Sequence, residues 1–95
     1  MTNLEDEVRL AGKAKEVLEH EAFRYAFSTV ENALLAAMNG TPIENDKMKL
    51  RLVDKYEALQ SLRACLQSMV DTGLMAEQQL KQKTIAQKVK EFVYG

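Results

Sequence analysis

The fold of this chain is decided by residues 41–73, which read TPIENDKMKLRLVDKYEALQSLRACLQSMVDTG. Thr41, Pro42 and Glu44 have the spacing of a helix-capping box with proline at the first helical position. Gly73 suits a helix end in the left-handed conformation, which disfavours side chains. Since no Gly or Pro lies between Pro42 and Gly73, the pattern predicts one helix over about residues 42–72, roughly 45 Å long.

Apolar residues recur at helical spacing along this stretch and share one face. They are Met48, Leu52, Tyr56, Leu59, Leu62, Leu66, Met69 and Val70. A stripe of this length indicates that the helix packs against other helices.

Two further helices are predicted before it, over about residues 3–19 and 21–39. Between these two helices the chain could bend or continue, because no strong helix breaker lies there. Gly12 falls inside the first helix, where it costs about 1 kcal/mol relative to alanine unless a close backbone approach uses it.

The short connection at residues 39–41 favours a near-antiparallel pair of the second and third helices. The second helix is shorter than the third by roughly a dozen residues, or about 18 Å of helix. The overhanging apolar positions then need cover from the first helix, from a fourth helix or from another subunit. These positions are Leu62, Leu66, Met69 and Val70.

The last segment, residues 74–94, is helical by propensity and changes character halfway. Glutamines and lysines interrupt the apolar face in its first half, and the pattern recovers at Ile85, Val89 and Phe92. Two interpretations stay open. The segment is either a fourth bundle helix or a tether leading to a docking segment, with residues 81–95 as the docking tail.

The composition predicts an all-α protein, an antiparallel helical hairpin or a bundle of three to four helices, in a single domain over residues 1–95. Good helix formers dominate, and four Gly and one Pro leave few turns for a sheet. Charged residues make up 28%, which excludes a membrane-embedded chain. The single Cys65 excludes an intramolecular disulfide, and the lack of a signal peptide or long apolar run indicates the cytoplasm.

Charge is distributed unevenly, although the net charge is only −1. Residues 1–21 hold six acidic and three basic side chains, whereas residues 74–95 hold two acidic and four basic ones. Most nucleic-acid binders carry a global basic field, which this chain lacks. The asymmetry therefore favours head-to-tail complementarity within or between protomers.

The sequence contains no motif for catalysis or for metal or cofactor binding. His20 is the only histidine, and its position between Glu19 and Glu21 is typical of a solvated surface residue. Glu16 and His20 could supply two metal ligands one helical turn apart, but the sequence identifies no others. We therefore expect no enzymatic activity, no cofactor and no metal site.

Two other uses of the C-terminal segment are less favoured. Lys81, Lys83, Lys88 and Lys90 could contact phosphates, but they are spread around the helix and diluted by glutamines. Residues 85–94 also form a short basic amphipathic segment, which is too short to bind a membrane alone. We therefore expect protein partners and no membrane association, and nucleic acid is possible but not favoured.

Protein–protein assembly is the best-supported class, with the chain itself or a larger structural protein as the partner. Three features favour it: a helix longer than its companions, apolar residues on more than one face, and a tail with its own apolar end. The candidate interface residues are Leu62, Leu66, Met69, Val70, Ile85, Val89, Phe92 and Tyr94.

Several short segments together form a layout known from one group of proteins. They are residues 11–14, Phe23-Arg24-Tyr25-Ala26-Phe27, Thr41-Pro42, residues 56–59 and residues 71–76. In these segments the chain resembles small helical proteins encoded beside the head and packaging genes of tailed bacteriophages and prophages. The resemblance covers about residues 11–80 and brings no catalytic residue with it.

That resemblance implies a virion or DNA-packaging accessory role, in the cytoplasm of a bacterial host or incorporated in a virion. We therefore expect a structural protein that assembles through its helices. Two alternatives remain open, a small regulator or inhibitor that binds a host protein and a small packaging-type DNA-binding protein.

Overall fold

The computed structural model describes residues 3–94, except for the side chain of Tyr94. Within this range the chain forms α1 (Leu4–Glu19), α2 (Glu21–Gly40) and α3 (Asp46–Tyr94), and it contains no strand. The prediction of an all-α protein is therefore confirmed. The first two helices begin and end within one residue of the predicted bounds.

His20 separates α1 from α2, so the first two helices do not form one continuous helix. Its backbone is extended, with φ −68° and ψ 126°. Its Nδ1 atom accepts a hydrogen bond from the amide of Ala22 at 3.2 Å. His20 therefore caps the N-terminus of α2, since a side-chain acceptor at this position satisfies an amide that the helix leaves free.

The connection between α2 and α3 differs from the predicted capping box at Thr41. The Thr41 amide donates to the carbonyl of Met38, and its hydroxyl donates to the carbonyl of Ala37 at 2.7 Å. Both groups therefore close α2 instead of opening α3. A turn follows, and Asn45 caps α3 by accepting from the amide of Met48 at 3.3 Å.

The predicted helix end at Gly73 is wrong, because α3 continues through this residue to Tyr94. The helix has 49 residues, or about 73 Å of helical rise, instead of the predicted thirty or so. No glycine among the described residues has a positive φ, so Gly73 does not adopt the left-handed conformation of a helix stop. The segment of residues 74–94, which the sequence left open as a fourth bundle helix or a tether with a docking segment, is thus the second part of α3.

The chain divides into two compact units, each of which contains part of α3. In the α1 unit, residues 3–16 pack on residues 66–94. In the α2 unit, residues 17–65 hold the end of α1, all of α2 and the first part of α3.

The α1 unit buries small residues. Ala11, Ala14 and Ala76 are at most 9% exposed, and Gly73 is buried with them. Ala11 lies against Gly73, while Leu4 lies near Leu80. The contacts thus pair rising residue numbers on α1 with falling numbers on α3.

The α2 unit is built around Phe27, which is 6% exposed and is the one large apolar side chain buried among residues 3–93. Phe23 packs against it with the ring centroids 5.9 Å apart. Glu31 contacts Gln60 and Phe27 contacts Arg63, so residue numbers again run in opposite directions along the two helices.

Candidate interaction surfaces

The contact between α1 and α3 depends on the missing side chain of Gly73. A Cβ added at Gly73 would overlap the Cβ of Ala11 and lie 3.1 Å from the carbonyl oxygen of Glu7. The helix backbones therefore approach closely at this point, as helices do where small residues meet. Gly12 does not fulfil the same role, because a Cβ added there would meet nothing within 4 Å.

A shallow groove runs beside this contact. Its lining residues are Val8, Ala11, Gly12, Lys15, Val70, Gly73, Leu74 and Glu77. The groove is mostly apolar, and its two charged side chains are Lys15 and Glu77. It lies between α1 and α3, and each helix supplies one of the charged side chains.

Arg63 forms a polar cluster on the α2 unit. Its guanidinium lies 4.6 Å from the centre of the Phe27 ring, within the range of a cation–π contact. The same group donates to Gln60 at 2.6 Å and lies 3.7 Å from a carboxylate oxygen of Glu31. Gln60 in turn donates to Glu31, so four side chains fix how α2 lies on α3.

The predicted interface residues fall into two groups. Leu66, Met69 and Val70 are partly buried and lie in the α1 unit, where α1 covers part of the predicted overhang. Leu62 is 52% exposed. The same helix thus carries covered and uncovered members of the predicted stripe.

The second group lies at the C-terminal end of α3. Ile85, Val89 and Phe92 are 62%, 56% and 91% exposed, and every residue from 81 to 93 is exposed. Tyr94 belongs to the predicted interface, but its side chain lies outside the described part of the structure. This end of α3 is the longest run of uncovered helix in the residues that the structure describes.

The four lysines proposed as phosphate contacts are exposed as well. At about 100° per residue, Lys81 and Lys88 lie close together on one side of α3. Lys83 and Lys90 lie together on another side, and Lys81 is also paired with Glu77 at 3.6 Å. The structure therefore does not converge these lysines on one surface.

The residues singled out for chemistry remain apart. His20 and Cys65 are both exposed, and His20 is occupied in capping α2. No group of three His, Cys, Asp or Glu side chains within residues 3–93 could hold a metal ion. In the same part of the chain, no helix has the combination of length and apolarity needed to cross a membrane.

Sequence reasoning missed the close contact at Gly73 and the cluster around Arg63. The first had a signal, since Ala11 and Ala14 on one helix and Gly73 and Ala76 on the other are small residues spaced by three. The second had none, because Arg63 lies between Leu62 and Ala64 in the sequence and its partner Phe27 lies on another helix.

We compared the chain with protein-family models, with curated proteins and with solved structures, and found no match in any of the three.

Proposed function

We propose that this protein is a non-enzymatic assembly protein whose helices associate with further copies of the chain or with a larger structural protein. The imbalance between buried and exposed apolar side chains carries this proposal. Among residues 3–93, the buried apolar side chains are those of Ala11, Ala14, Phe27 and Ala76. In the same range, fifteen large apolar side chains each expose at least 37% of their surface.

Association supplies the burial that the single chain lacks. Fully burying one Val, Leu, Ile, Phe or Met side chain stabilises a protein by about 1.5–3 kcal/mol. A chain of 95 residues is already near the small end of independent stability. Large exposed apolar patches on such a chain are typical of protein–protein interfaces.

The architecture that we propose for the assembling chain is an antiparallel hairpin of α2 on the first part of α3. The contacts of Glu31 with Gln60 and of Phe27 with Arg63 support it, because they run in opposite directions along the two helices. A bundle of three or four helices would then form where hairpins or their partners meet.

We place this activity among the accessory proteins of tailed bacteriophages, in the virion or in DNA packaging. The support is the sequence resemblance described above, in the segments around Phe23–Phe27 and residues 71–76. The proposed location is the host cytoplasm or the virion itself.

Sedimentation velocity over about a hundredfold range of protein concentration tests the proposal. We expect the weight-average mass to rise with concentration from the 10.8 kDa of one chain. A sample that stays monomeric at the highest concentration, and that does not sediment together with a purified phage structural protein, would contradict the assembly role. A monomer that binds one defined host enzyme would instead favour a regulator.

A further inference from the structure

The C-terminal part of α3 carries a second apolar stripe that faces away from α1. Near the start of α1, Leu4 and its neighbours line a shallow groove with Leu80 and Lys83 of α3, and Leu80 is the last partly buried residue of α3 among the side chains that the structure describes. At about 100° per residue, Ile85 lies about 140° around the helix from Leu80 and about 160° from Lys83. The α1 helix of the same chain therefore cannot cover Ile85 by extending its contact along α3.

The stripe has the spacing of a coiled-coil seam. Alternate steps of three and four residues, counted backwards from the last member, connect Phe92, Val89, Ile85, Gln82, Gln78 and Met75. These residues occupy the d and a positions of heptad repeats over about 27 Å of helix. All six are exposed, and Met75 exposes 63% of its surface.

We propose that a second copy of this chain covers the stripe, as a parallel, in-register, two-stranded coiled coil over residues 75–92. The inference rests on the proposed assembly function and names the surface and the occupant through which the copies meet. Two features of the sequence select a second copy in this orientation, the glutamine layers and the positions of the lysines.

The glutamine layers match only in parallel register. There each seam residue meets the same residue of the other copy, so Gln82 faces Gln82 and Ile85 faces Ile85. A glutamine amide both donates and accepts hydrogen bonds, and such a pair can satisfy itself. An antiparallel pair overlapping over the same residues would place Gln82 against Ile85 and Gln78 against Val89, leaving buried amides without partners.

The lysines also favour the parallel pair. Lys81 and Lys88 occupy g positions, which in a parallel coiled coil face the e position five residues further along the other copy. Those positions hold Ala86 and Val93, so the lysine stems cover apolar surface and meet no like charge. In an antiparallel pair g faces g, and lysines would face lysines. The other two lysines of the segment occupy b positions, outside the seam.

The size of the seam sets the strength of the contact. Two and a half heptads with two glutamine layers form a shorter seam than a self-sufficient coiled coil needs, and they bury less than a standard interface. The dimer is therefore weak and forms at high concentration, or where other contacts already hold copies close together.

Two single substitutions in the full-length chain test the seam by sedimentation equilibrium. Val89→Glu places a charge at an a position, and we expect it to weaken self-association at least tenfold. Ala86→Glu places a carboxylate at e, opposite Lys81 of the other copy, and we expect it to strengthen self-association several-fold. Gln87→Glu adds the same charge at the outward f position and should leave the dissociation constant close to that of the unchanged chain.

The outcomes separate this inference from the proposed function. If the unchanged chain associates but Val89→Glu associates equally well, the seam is not the interface and the assembly function stands. Equal effects of Ala86→Glu and Gln87→Glu would overturn the parallel register. If the unchanged chain does not associate and binds no structural partner, both the inference and the proposed function fail. Circular dichroism should give the same helix content for all four proteins, because each substituted side chain is exposed.

Discussion

Gly73 and Gly12 are both helical glycines, yet only Gly73 has a neighbour where its side chain would lie. A glycine inside a helix costs about 1 kcal/mol relative to alanine. At Gly73 the missing side chain permits the close approach of α3 to Ala11, and this packing offsets the cost. At Gly12 the added Cβ would lie in open space, so the cost brings no packing contact in return.

The same substitution should therefore have opposite effects at the two positions. We expect Gly12→Ala to raise the free energy of unfolding by about 0.5–1 kcal/mol through helix propensity. We expect Gly73→Ala to lower it by about 1 kcal/mol or more, because the overlap with Ala11 forces the helices apart and overpacking costs about 1–3 kcal/mol. Urea unfolding followed by circular dichroism at one protein concentration measures both values.

A double substitution provides the control. Ala11→Gly removes the Cβ that blocks Gly73→Ala but itself costs about 1 kcal/mol of helix propensity. Relative to the Ala11→Gly chain, adding Gly73→Ala should therefore lower the free energy of unfolding much less than it does in the unchanged chain. If Gly73→Ala stabilised the chain as much as Gly12→Ala does, the close contact between α1 and α3 would be refuted.

The spacing of small residues on α1 and α3 was a signal for the close contact, but the local pattern at Gly73 indicated a different use. A Thr-Gly pair after an apolar stripe has the local pattern of a helix end, and that pattern predicted a stop there. The residue that makes Gly73 necessary is Ala11, more than sixty positions away on another helix. A local sequence pattern indicates which backbone conformation a segment prefers. A close contact between two helices depends instead on how the residues of one helix align with those of the other.

Two residues near the start of α3 are of the types that could cap it. Thr41 and Asn45 both precede the apolar stripe, and both belong to the residue types that cap helices. Thr41 completes α2 with its amide and its hydroxyl, which leaves Asn45 to cap α3.

Replacing each residue by alanine distinguishes these roles. We expect Asn45→Ala to destabilise the chain by about 1 kcal/mol, because the amide of Met48 loses its acceptor. We expect Thr41→Ala to cost less, about 0.5 kcal/mol, because the amide that closes α2 is kept and only the exposed hydroxyl bond to the carbonyl of Ala37 is lost. Amide hydrogen exchange checks the location, since protection of residues 46–49 should fall in Asn45→Ala alone. Loss of that protection in Thr41→Ala would restore the cap predicted from the sequence.

Helix periodicity predicted the existence of these elements well, because it is a local property of the chain. The bounds of α1 and α2 follow from apolar spacing and from the residues at the helix ends. The exposed residues Ile85, Val89 and Phe92 were also identified from spacing alone. The continuity of α3 was not predicted from the local pattern. A glycine inside a helix is unfavourable by itself, and strong helix formers on both sides of Gly73 continue the helix because packing compensates for that cost.

The described residues bury a small core, so the proposed association would make stability depend on protein concentration. In the described residues the α1 unit buries alanines and a glycine, and the α2 unit buries one phenylalanine. Alanine contributes little apolar area, so these contacts set the register of the helices more than they stabilise the fold. In the proposed assembly, contacts with a second chain would add further stabilisation, and such stabilisation follows mass action.

The melting temperature should therefore rise with protein concentration. Moving from well below the dissociation constant to about one hundred times above it stabilises the folded state by up to about 2.7 kcal/mol. For a chain of this size, each 1 kcal/mol shifts the melting temperature by about 4–8 °C, so the rise has an upper limit of roughly 10–20 °C. Thermal scans by circular dichroism at increasing concentration measure it.

The Val89→Glu chain provides the comparison, because it keeps every described contact within the chain and loses the proposed seam. Its melting temperature should match that of the unchanged chain at the lowest concentration and stay nearly constant as concentration rises. Parallel rises in both proteins would show that copies meet through another surface.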